Sequence, residues 1–136
     1  MNFVLDASVA LAWCLEDEVN AYSDRVLDAL VESEAVVPAL WPIEVINVLA
    51  VATRKRRMRS EDASEAQDLL KALPIAVEPF ERAQAFAGVA RLANTHGLTA
   101  YDACYLELAS RRGIPLATLD EVLRVAAEAE GVGIWA

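Results

Sequence analysis

The chain reads as an α/β protein, a three-layer α/β/α sandwich around a central parallel sheet of about five strands. Two observations carry that expectation. Short runs rich in β-branched and aliphatic residues, which read as buried strands, alternate with stretches of helical period. No low-complexity linker or internal repeat interrupts the alternation, so residues 1–136 are expected to form one domain with helices on both faces of the sheet.

The elements follow in order. A strand over 2–5 ends at Asp6, which opens a helix over 8–15. A second helix, 21–33, leads into a strand at 35–37. Two helices, 42–58 and 61–72, are inserted before the third strand at 75–77, with Ser60 as the N-cap between them. Helices at 80–95 and 101–112 end where Gly97 and Gly113 stand, because glycine accepts the left-handed backbone of a helix C-terminus. A strand at 114–118, a helix at 120–129 and a strand at 132–135 complete the series. Right-handed crossovers follow from strand twist. If the strands at 2–5 and 114–118 are neighbours, Asp6 and Asp120 emerge together at the carboxyl edge, where open α/β sheets bind ligands.

Composition bounds the function. With 56% apolar residues, the chain can bury roughly two thirds of its unfolded surface without disulfides or a structural metal. No apolar run approaches the ~18 residues of a membrane span, so a soluble, unexported, cytoplasmic chain is expected. Cys14 and Cys104 lie in apolar helical patterns and read as small buried hydrophobes in a reducing compartment. A net charge of −9 argues against a general nucleic-acid coat protein, because nonspecific binding needs Lys and Arg against phosphates. Yet Arg54, Lys55, Arg56, Arg57 and Arg59 hold five of the 12 basic residues, leaving seven to face 21 acids elsewhere. This run has two readings: a solvated complement to a helix dipole, or a contact to a nucleic-acid backbone.

Four carboxylates fall where a phosphate-cutting metal site would need them: Asp6, Glu44, Asp102 and Asp120. Each has a plainer reading. Asp6 could be an N-cap. Thr99 and Asp102 spell a capping box, and Thr118 and Glu121 spell another, which leaves Asp120 without capping duty. Glu44 follows Pro42 in a first turn, but its apolar neighbours press it toward a buried face, where an acid needs a partner. Taken together the four imply more. Carboxylates within ~5 Å of one another repel by ~3 kcal/mol per pair at an effective dielectric of 20, so protons or a cation must neutralise them. Hard oxygen ligands without histidine or cysteinate suit Mg2+ or Mn2+. His96, the single histidine, precedes Gly97 at a helix end and reads as a dipole partner, so histidine-based acid and base catalysis is not expected.

With these residues in view the chain resembles the PIN-domain ribonucleases, and within them the VapC-like toxins of bacterial toxin–antitoxin pairs. The resemblance spans nearly the whole chain. It rests on Asp6-Ala7-Ser8-Val9, on Trp41-Pro42-Ile43-Glu44-Val45 with Asn47-Val48-Leu49, on Leu98-Thr99-Ala100-Tyr101-Asp102-Ala103, and on Ala117-Thr118-Leu119-Asp120. It implies a metal-dependent endoribonuclease acting on RNA, a homodimer, and an antitoxin partner whose tail lies across the active site. Asp6, Glu44, Asp102 and Asp120 would be the acidic quartet. Asp6 and Asp102 would hold the principal Mg2+ or Mn2+, with Glu44 and Asp120 completing the pocket. Ser8 and Thr118 would orient ligands from behind, and Glu121, a fifth acid beside Asp120, could compete with it for a second ion. The run Arg54 to Arg59 would supply part of the RNA backbone contact.

Rival classes fit less well. An aspartyl phosphatase would want a second aspartate where Ser8 stands, and a phosphate-accepting signalling domain would want an acid where Leu5 stands. No glycine-rich turn follows the first strand, as a dinucleotide site requires. A non-catalytic binding module on the same scaffold, its acids used only as caps, is the remaining alternative.

Overall fold

Phe3–Leu5 (β1) is buried at every position and pairs in parallel with strands on both sides, as a central strand of unbroken apolar residues should. The computed structural model describes residues 2–136. Its sheet has four parallel strands in the order β3-β2-β1-β4, with β2 at Ala35–Pro38, β3 at Ile75–Glu78 and β4 at Leu116–Ala117. Val4 lies opposite both Val36 and Leu116, and Leu5 opposite Ala117. The first and fourth strands are therefore neighbours, the condition under which Asp6 and Asp120 emerge at one edge.

The helices flank this sheet. Ala7–Cys14 (α1) packs against Ala21–Ala29 (α2), Trp41–Arg54 (α3) and Ser60–Ala72 (α4). Three further segments, Arg82–Gln84 (α5), the π-helical Ala85–Val89 and Ala90–His96 (α6), lead to Ala100–Arg112 (α7), which packs across β1, β2 and β4. Glu121–Ala129 (α8) packs on α7. Tyr105, Phe3, Leu5, Leu49, Leu92 and Leu106 are fully enclosed in the common core.

Several boundaries differ from the sequence expectation, each for a physical reason. The sheet has four strands rather than about five because 132–135 contributes only one parallel bridge, Leu116 to Ile134. Gly131 precedes that segment and Gly133 interrupts it, which weakens it as a strand. The 114–118 strand shrinks to β4, since Pro115 has no ladder N–H and Thr118 turns away to another task. α3 stops at Arg54 instead of 58, where Arg56 takes φ 60° and the Arg57 amide donates back to the Ala52 carbonyl at 2.8 Å. That closure satisfies a carbonyl at the helix end, as a left-handed C-cap does. Ser60 is the first residue of α4 and Arg59 takes the N-cap position. The helix expected at 80–95 is broken by its π-helical insert, while Gly97 and Gly113 both end helices with φ 64°, as expected. Among the described residues no helix is long and apolar enough to cross a membrane.

Candidate acidic site

Asp6 stands between β1 and α1 at the N-cap position, yet its side chain does no capping. Its Oδ2 instead accepts two short hydrogen bonds, from Ser8 Oγ and from Thr118 Oγ1, both at 2.7 Å. Each hydroxyl is itself oriented by a backbone amide, Leu119 N–H to Ser8 Oγ at 3.1 Å and Asp120 N–H to Thr118 Oγ1 at 3.0 Å. These two amide–hydroxyl–carboxylate relays cross from the β4–α8 junction to the β1–α1 junction and polarise along their length. The described hydrogen bonds all converge on Oδ2, so Oδ1 remains available. Asp6 is buried, and its carboxyl is pushed up to about 6, chiefly by burial; the two hydroxyls oppose the rise, and the charges of Asp102 and Glu44 add to it.

Glu44 lies in the first turn of α3, partly buried, and its Oε1 accepts a 2.6 Å hydrogen bond from the Tyr105 hydroxyl. Burial raises its carboxyl above the usual range, Tyr105 opposes this, and Asp102 adds to it. Asp102, in the first turn of α7, is raised by burial and then by the charge of Asp120, with the Thr99 side chain opposing. Thr99 caps α7 by accepting from the Asp102 amide at 3.1 Å, the first half of the expected box. Thus the charges of Glu44 and Asp102 reach Asp6, that of Asp102 reaches Glu44, and that of Asp120 reaches Asp102. The four acids share an acid-rich region, but among the described residues no group of three or more acids is gathered closely enough to hold a metal ion as it stands.

The expectation for the second capping box is corrected. Asp120 itself caps α8, its Oδ1 accepting from the Val122 and Leu123 amides at 2.9 and 3.1 Å. Thr118 serves Asp6 rather than the helix. Glu121 is exposed and paired with Arg124 at 2.6 Å, which holds its carboxyl below the usual range. The basic run divides in two. Arg57 is bound by Asp17 and Glu18, and Arg59 by Asp62, whereas Arg54, Lys55 and Arg56 are exposed and, among the described residues, without an ion pair. His96 does close a helix end, and its Nε2 meets Glu130 Oε2 at 2.7 Å. Burial pushes the free thiols of Cys14 and Cys104 up to about 11 and about 12, which keeps them protonated. Tyr105 was not singled out from the sequence, though its place three residues after Asp102 on the same helix was there to be noticed.

Comparison with known proteins agrees with this architecture. The PIN domain profile matches residues 3–129. Ribonuclease VapC3 of Pyrobaculum aerophilum is 31% identical over 123 residues, covering 90% of this chain and 92% of that protein. The crystal structure of PAE2754 from Pyrobaculum aerophilum superposes with a TM-score of 0.69 at 25% identity, covering 94% of this chain and 81% of that one. VapBC2 from Rickettsia felis, solved bound to a DNA fragment from their promoter, gives 0.69 at 10% identity, over 99% of this chain and 98% of that one. FitAcB from Neisseria gonorrhoeae gives 0.66 at 20% identity, over 100% and 97%. The last two likenesses bear on the fold alone. Because the family match runs through β1, α3, α7 and β4, the four elements around the acids, and the chain is 31% identical to a ribonuclease over 90% of its length, it belongs to the PIN-domain family, among its VapC-like ribonucleases.

Proposed function

We propose that this chain, acting as one PIN-like unit, is a divalent-metal-dependent endoribonuclease that hydrolyses RNA phosphodiester bonds as the toxin of a toxin–antitoxin pair. The observation that carries this reading is Asp6: a buried carboxylate that declines to cap its helix, has one oxygen pinned by two hydroxyls, and stands in the field of Glu44 and Asp102. A set of carboxylate oxygens that raise one another's proton affinity fits a hard divalent cation. Asp6 and Asp102 would hold Mg2+ or Mn2+, with Glu44 and Asp120 completing the acidic wall. When bound, such an ion supplies polarisation of a phosphoryl oxygen and activation of a water for attack in line.

The chain's own residues do the positioning. Ser8 and Thr118 hold Asp6 in one orientation, and the oxygen they use is not the one left for a ligand. Asp120 combines a cap through Oδ1 with a charge that reaches Asp102. Glu121, bound to Arg124, takes no part. Of the basic run, Arg54, Lys55 and Arg56 are the candidates for RNA phosphates, since Arg57 and Arg59 are already neutralised by neighbours. An antitoxin partner and a homodimer are inferred from membership of the VapC-like ribonucleases. A groove of about 720 Å³ between the end of α1 and α4 joins apolar residues such as Trp13, Leu15 and Met58 to charged ones such as Glu16, Arg59 and Glu65, a mixed bed for a partner segment.

Cleavage of a labelled RNA with Mg2+ present tests the assignment. Asp6→Asn and Asp102→Asn should each lower the rate by more than about 100-fold, beyond what loss of a mere supporting contact does, with circular dichroism unchanged. Cleavage surviving in either purified variant overturns it.

A further inference from the structure

We propose that Tyr105 is a positioning residue that fixes the Glu44 carboxylate within the acid cluster, and so prepares the site for its cation. This rests on the metal-site reading above and extends it to a residue outside the quartet. Tyr105 is fully enclosed in the core, and its hydroxyl donates to Glu44 Oε1 at 2.6 Å. That length belongs to charge-assisted O–H···O− bonds, which are roughly twice as strong as neutral ones. The Ala7 backbone acts on the same phenol oxygen, and Asp6 lies within its field. One hydroxyl thus ties α7 to the first turn of α3 and faces the start of α1, which are the elements that carry Asp102, Glu44 and Asp6.

Chemistry fixes the direction of this bond. An ionised carboxylate can only accept, so the phenol must donate, and the described hydrogen bonds leave Glu44 Oε2 free of protein partners. A partly exposed glutamate with three side-chain torsions would otherwise spread over many rotamers, and ordering such a chain opposes ligand binding. Tyr105 removes that freedom in advance. Because Tyr105 lies three residues after Asp102, one face of α7 sets the position of both Asp102 and Glu44, across a sequence gap that no local motif spans.

Mn2+ binding to the full chain, read by the loss of free-ion electron paramagnetic resonance signal, tests this without recourse to activity. Tyr105→Phe should weaken Mn2+ affinity about 10-fold, as removal of a supporting contact typically does, with little change in melting temperature because the ring still fills its place. Glu44→Asp, which leaves the core untouched and shortens the reach to the hydroxyl, should show a similar loss. In a Glu44→Ala background, Tyr105→Phe should add nothing further, since its partner is gone. Wild-type affinity in Tyr105→Phe, or a lowered melting temperature with affinity intact, overturns the positioning role while leaving the metal site standing. Absence of Mn2+ binding by the wild type overturns the site and this role together.

Discussion

Two strand-to-helix junctions lie side by side at the carboxyl edge of the sheet, and they use the same residue differently. At β1–α1 and at β4–α8 an aspartate follows the strand in extended backbone and precedes the helix. Asp120 does what such a residue ordinarily does, accepting the amides of Val122 and Leu123. Asp6 does not, because Ser8 and Thr118 reach its carboxylate first and burial has removed water. An identical local arrangement therefore yields a cap in one place and a buried, proton-seeking carboxylate in the other. The difference comes from two donors: Ser8, two residues on in its own segment where the other junction has Val122, and Thr118 from the neighbouring junction.

The largest effect that can break this contrast is in stability against pH. The carboxyl of Asp6 rises from 3.8 to about 6 on folding. A group raised in this way favours the fold while protonated; its contribution is full below about pH 4 and is lost as pH climbs through 6. At about 1.36 kcal/mol per pH unit, the loss at pH 8 is on the order of 3 kcal/mol. Asp6→Asn should recover most of it at pH 8 in chelator and nothing near pH 4, as urea melts at the two pH values would show. Added Mn2+ should restore wild-type stability at pH 8 by mass action. Equal stability of the two proteins at pH 8 would mean that Asp6 is as well solvated as Asp120.

A smaller effect is expected at the other junction. Asp120→Ala should cost about 1 kcal/mol through the lost cap, while Asp120→Asn, which caps equally well, should cost little. A thermal melt of the pair separates the two duties of Asp120, because Asp120→Asn keeps the cap and removes only the charge. Smallest is Ser8→Ala, which withdraws one of two donors to Asp6. Net stability should fall by about 0.5–1 kcal/mol, and the pH at which stability drops should move above 6, since a contact favouring the ionised form is gone. An unmoved drop would assign the whole cradle to Thr118.

Much of this was legible in the residues. Strands β1, β2 and β3 announced themselves as apolar runs, and Gly97 and Gly113 marked the ends of α6 and α7. The four acids could be picked out by type, since each stands at the start of a helix, and their charges do reach one another. What escaped was whatever depends on contact across the chain. Thr118 and Asp120 both satisfy capping rules two residues apart, and only the position of Asp6, more than a hundred residues away, decides which of them caps. Arg57 looked like a free cation because its partners, Asp17 and Glu18, lie 40 and 39 residues back. Tyr105 followed the apolar period of α7 and passed for core. The π-helical insert after Gln84 falls in an alanine-rich stretch whose period does not register one extra residue per turn.

The bridge at Leu116 has a consequence for assembly. Its amide gives to Gly133 and its carbonyl takes from Trp135, both at 2.9 Å, so the outward border of β4 is already stitched shut by the segment around Ile134. A foreign strand seeking to lengthen this sheet finds no vacant rungs there and must come to the opposite border, along Ile75–Glu78.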